Sequence, residues 1–177
     1  MTPHRFIVAL LLAAPACASS TANLDLASVV EHADAPRPAV DVYNLEDSLA
    51  IEGYDPVSYF DGTAPVQGLR EHAVRHRGVV YFFANETNRE AFLASPRKYE
   101  PAYGGWCAWA MAHGGKTVDP DPTNFTLEDG VVHLFYRNSA VDTRNKWQKG
   151  DVTALRSDAA REWSNSSGEP QSHLALR

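Results

Sequence analysis

Cys107, Met111 and His113 stand close together in the stretch YGGWCAWAMAHGG, Tyr103 to Gly115. Residues four apart share one face of a helix, at about 100° per residue. A thiolate beside a thioether is a soft donor pair suited to Cu(I) or another soft metal ion. If the glycine pair Gly104–Gly105 opens a helix, its positive end also favours the Cys107 thiolate, and the residue becomes nucleophilic. Trp106 and Trp109 act in the opposite sense, because apolar surroundings keep a thiol protonated and inert. Three chemistries are therefore open for Cys107: soft-metal ligand, redox thiol cycling through a sulfenic acid or mixed disulfide, and silent core residue. Met111 has the same bland alternative, as a filler between aromatic rings. His113 joins a site with Cys107 only if the helix ends near it.

The remaining polar candidates read as structural. His72 and His76 share a strand face but lie about 13 Å apart by strand rise, too far to grip one ion. His133 alternates with Val131 and Phe135 and is expected to face the core. Asp55, Asp119 and Asp121 precede prolines, where carboxylates stabilise turns through local bonds to the backbone. The chain carries no G-x-S-x-G, H-E-x-x-H, P-loop or Rossmann fingerprint, and no catalytic triad is identifiable. A non-catalytic binding module is expected.

These residues need a scaffold, and 177 residues suffice for one domain with a substantial core. The segment HAVRHRGVVYFF places β-rich runs around Arg77–Gly78, and NFTLEDGVVHLFYR does so around Asp129–Gly130; both predict hairpins. NETNREAFLASPRKYEP predicts a helix capped by Asn85 or Thr87 and stopped by Pro96. SAVDTRNKWQKGDVTALRSDAAREW predicts two helices broken near Gly150, with Ser139 and Asp151 as caps and Trp147, Leu155 and Trp163 as packing anchors. Segregated strands and helices give an α+β class: a small antiparallel sheet of hairpins packed with several short helices, in a single domain.

The first 18 residues, one basic residue followed by an apolar run and then small residues, have the order of a secretory signal peptide. Export to the periplasm or exterior follows. Two endings stay open: cleavage after Ala18, or a lipobox-like end in which Cys17 is lipidated and attaches the protein to a membrane. In either case Cys107 is the single cysteine of the mature domain and has no internal disulfide partner. Losing Arg5 leaves 15 of the 16 basic residues against 22 acidic ones, a net charge near −7. Nucleic acid is thereby disfavoured as a partner, since phosphate binding relies on clustered Lys and Arg. Residues 19–44 read as a linker or N-terminal arm, 45–163 as the domain, and 164–177 as a disordered tail.

Several motifs in order carry a resemblance: GYDPVSYF (Gly53–Phe60), YFFANETNREAFLASPRKYEPAYGGWCAWAM (Tyr81–Met111) and DPTNFTLEDGVVHLFY (Asp121–Tyr136). Over roughly 45–163 the chain resembles the exported branch of the YHS-domain proteins, a group akin to TRASH-type modules and linked to metal handling. Metal-binding relatives read DPVC and YFCSEGC at the corresponding places. This chain instead has Ser58, Ala84 and Asn88 there, which cannot supply a tetrahedral thiolate site. The resemblance therefore implies a binding module whose metal, if it takes one, is held by other residues such as Cys107, Met111 or His113.

Overall fold

Among the described residues a short strand, β1 (Val30–His32), comes first, inside the segment expected as a linker. The computed structural model describes residues 29–32, 36–37 and 39–169. The expected signal peptide 1–18, with Cys17, and the part of the expected tail beyond Glu169 lie outside the described residues. Strands β2 (Leu45–Glu46) and β3 (Leu49–Ala50) form a minimal hairpin, and β4 (Leu69–His76) and β5 (Val79–Phe83) form a longer one. Together they make a five-stranded sheet of order β1-β4-β5-β3-β2. Its hairpins are antiparallel, while β1 joins β4 and β3 joins β5 in parallel.

The β4–β5 turn has Arg77 at φ 50° and Gly78 at φ 90°, the positive pair that a two-residue hairpin of the right twist demands. Strands β6 (Asp121–Glu128) and β7 (Val131–Phe135) repeat the device at Asp129 and Gly130, with φ of 50° and 74°. Both expected hairpins are present because each turn is specified by two adjacent residues.

Five helices complete the fold: α1 (Glu86–Ala94), α2 (Pro96–Tyr99), α3 (Ala108–Ala112), α4 (Thr143–Lys149) and α5 (Val152–Ser167). Asn85 caps α1 through the Asn88 N–H, and Asp151 caps α5 through the Ala154 N–H. Pro96 ends α1 and also opens α2, because its missing N–H costs nothing in a first turn. The cap of α4 is Asp142, not Ser139: its carboxylate accepts from the Arg144 N–H and also from the Asn124 amide. That second bond comes from β6 and selects the residue. α5 continues past Trp163 to Ser167 and closes on Gly168 at φ 70°, so the expected tail begins later than 164.

The β6–β7 hairpin lies between two cores. Phe125, Val132 and Leu134 pack with the sheet side, among Val74, Tyr81, Phe83 and Phe92. The opposite face, with Val131 and Phe135, meets Tyr103, Met111, Trp147 and Trp163. Truncating either buried tryptophan costs about 3–5 kcal/mol by the usual scale for large core residues. Gly104 is obligatory beneath Trp163, since φ is +61° and an added Cβ would sit 2.5 Å from the indole ring. The arm is also tied down: the buried Arg37 guanidinium bonds Tyr43, Glu100 and Glu169, linking it to the end of α5. Among the described residues no helix is long and apolar enough to cross a membrane.

Candidate ligand-binding site

Cys107 is the N-cap of α3, a five-residue helix, and is completely buried. Its sulfur accepts a hydrogen bond from the Tyr136 N–H at 3.3 Å and lies 3.4 Å from Thr143 Oγ1. The Thr143 hydroxyl donates to the Tyr136 carbonyl at 2.9 Å, which leaves the thiol to donate to Thr143. Both hydrogen-bonding roles of Cys107 are thus filled by neighbours that tie α3 to β7 and α4. This is the arrangement of a packing thiol.

Met111 is buried in the helix-side core. His113 points elsewhere: its ring stacks on Trp109 with centroids 4.1 Å apart, and Nδ1 lies 2.7 Å from the Trp109 carbonyl, so the imidazole turns back along its own helix. Among the described residues no group of three or more His, Cys, Asp and Glu side chains is arranged to hold a metal ion.

Ser58, Ala84 and Asn88 do converge, on Asp55. The buried carboxylate accepts from the Val57 N–H at 2.8 Å, the Ala84 N–H at 2.8 Å and the Asn88 amide at 2.6 Å, while the Ser58 hydroxyl donates to the Asp55 carbonyl at 2.7 Å. Ser58 in turn accepts from the Val66 N–H. Asp55 is more than the local turn former expected from Asp-Pro, because it joins the 55–58 turn to the end of β5 and the start of α1. Its oxygens are occupied by protein donors.

An open cleft lies on the other side of Gly105. It has a volume of about 340 Å³ and an apolar lining of Leu45, Leu49, Ile51, Pro120 and Pro122. Glu46, Glu52 and Asp119 also line it, with Asn44 and Gly105 at one end. The cleft exists because β2 and β3 turn sharply through Asp47 and Ser48 and then again through Ile51 and Glu52, all at positive φ. For the β-branched Ile51, at φ 55°, this conformation costs about 1–2 kcal/mol, which burial of its side chain offsets. The Glu52 carboxyl is held above its ordinary value, first by partial desolvation and then by the negative charges of Asp121, Glu46 and Asp119. Asp121 itself is drawn down, since bonds from Thr123 and Arg137 outweigh its desolvation.

No family model, curated protein or solved structure matches this chain.

Of the cleft residues, the sequence singles out Asp119, as a turn carboxylate, and Gly105, as part of the glycine pair before Cys107. Glu46 and Glu52 reach the same opening through two reversals of the chain. The available signal was the acidic, turn-rich run NLEDSLAIEG preceding the first motif.

Proposed function

We propose that the chain is an exported, non-catalytic binding module of the YHS type whose ligand seat is the cleft beside Gly105. Cys107 belongs to the core in this reading and carries no redox or metal chemistry. The observation that supports it best is the pairing of an apolar floor with three carboxylates in a concave site of about 340 Å³. Such a site suits a small organic cation. Its apolar body is buried against Leu49, Ile51 and Pro122, and its ammonium or guanidinium meets Glu52 and Asp119 near the rim. The convergence of Ser58, Ala84 and Asn88 on Asp55 agrees with the resemblance, because positions that carry cysteines in metal-binding relatives meet at one point here.

The test is a ¹⁵N NMR titration of the full chain with phenethylammonium, using 2-phenylethanol as the uncharged control. Saturable shifts at the amides of Leu49, Ile51, Glu52 and Gly105 are expected, with the alcohol at least about tenfold weaker, equivalent to about 1.4 kcal/mol. Glu52→Gln combined with Asp119→Asn should erase that preference. Equal binding of amine and alcohol, or shifts that do not saturate, would sink the reading.

A further inference from the structure

The parallel register of β1 on β4 places His32 directly opposite His76, 44 positions away in sequence. Their Nδ1 atoms are 3.0 Å apart. In this contact one ring nitrogen donates and the other accepts. In front of the pair opens a second cavity of about 450 Å³, lined also by Arg77, Ser95, Arg97 and Lys98. Among the described residues no carboxylate lines it, although the chain as a whole has a net charge of −6.

The cations of this cavity are not spent on one another's neighbours in the same way. Lys98 is engaged, with Nζ 3.2 Å from the Tyr99 hydroxyl and lying over the rings of Tyr99 and Phe60. The guanidinium groups of Arg77 and Arg97 make no ion pair or hydrogen bond among the described residues. By contrast Arg37, Arg75, Arg89, Arg137, Arg156 and Arg161 each hold a carboxylate. The β4–β5 turn fixes the backbone of Arg77, and the short helix that follows Ser95 fixes that of Arg97. Two planar forks and a hydroxyl lining one cavity with a hydrogen-bonded imidazole pair suit a tetrahedral oxyanion, which guanidinium groups engage through paired N–H bonds. The cavity volume exceeds that of a bare phosphate, so the organic part of the ligand has room beside Pro96.

We propose that this cavity binds a small soluble phosphate monoester, its phosphate held by Arg77, Arg97 and the His32–His76 pair. The site is separate from the acidic cleft and stands or falls independently of it.

The test is a calorimetric titration of the full chain with glycerol 3-phosphate at low salt, beside vesicles containing phosphatidic acid. Saturable one-to-one binding of the soluble ester is expected. Arg77→Gln with Arg97→Gln should weaken it at least about tenfold, His32→Gln should weaken it several-fold, and Arg70→Gln, at an exposed arginine outside the cavity, should leave it unchanged. Circular dichroism of each variant reports whether the fold is intact, and the surface substitution Arg97→Gln alone is a second, milder probe expected to weaken binding by several-fold. Absence of saturable binding overturns the proposal. So does binding that Arg70→Gln reduces as much as Arg97→Gln, which would mean diffuse charge attraction, and so does binding confined to the vesicles, which would mean a lipid headgroup site.

Discussion

On the sheet side of the β6–β7 hairpin, Asp55 is fully buried and its carboxylate receives three hydrogen bonds. On the helix side, His133 is 1% exposed between the rings of Tyr103 and Trp147, and neither ring nitrogen has a partner among the described residues. The two cores treat buried polarity differently because the two groups differ in what burial demands of them. A buried carboxyl group must be paired or hydrogen-bonded, at a cost of several kcal/mol otherwise. An imidazole can shed its proton instead: desolvation, with Arg156 adding to it, pushes the His133 pKa down to about 3. Cys107 lies with His133 on the helix side yet resembles Asp55 in having its partners supplied. The comparison separates polar groups that hold the fold together from one that is merely tolerated.

The largest break in this comparison is Asp55→Ala. It strands the buried Val57 N–H, at about 1–3 kcal/mol, and takes the acceptor from the half-buried Ala84 N–H and Asn88 amide, at a smaller cost each. A loss of about 3 kcal/mol or more in urea denaturation at pH 7 is expected, and a loss under about 1 kcal/mol would show that the hub is not structural.

His133 sharpens the comparison through pH. Its folded pKa of about 3 lies below the ordinary histidine value of about 6.5, so between these limits the unfolded chain binds a proton that the folded chain refuses. The His133 contribution is present above about pH 6.5 and is lost progressively as pH falls towards 3. His133→Phe should remove this dependence, and should also raise stability by about 1 kcal/mol at pH 7, since it replaces an unpartnered polar ring by an apolar one. Denaturation curves of both proteins at several pH values between 3 and 7 check it; parallel acid losses would mean that other groups dominate.

The smallest effect is expected at Cys107. Cys107→Ser keeps a donor and an acceptor at the site but exchanges a large, weakly polar sulfur for oxygen, for a loss of about 1 kcal/mol. A thiol reagent at neutral pH should label Cys107 only after denaturant is added. Rapid labelling of the folded protein, or Cu(I) binding lost in Cys107→Ala, would return the thiol to the list of functional groups.

The features that could be read along the chain are those written in a few adjacent residues. Arg77–Gly78 and Asp129–Gly130 specify their hairpins because positive φ is a property of the turn residues themselves. Asn85 and Asp151 cap their helices because a cap needs only the side chain and an N–H three residues on. Ser139 was an equally good cap by that criterion, and the choice of Asp142 rested on Asn124, in another element. His76 was weighed only against His72 for the same reason, since His32 reaches it through a parallel strand pairing that no local pattern announces.

The sequence by itself thus determined the α+β class, both long hairpins, the caps of α1 and α5 and the break near Gly150, where the signals lie within a turn or less. Only the tertiary structure decided that Cys107 is enclosed by Tyr136 and Thr143, that Asp55 gathers Ser58, Ala84 and Asn88, and that acidic and basic side chains are sorted into separate cavities. Those arrangements depend on register and packing between segments far apart in the chain, where burial and charge are set by which residues meet.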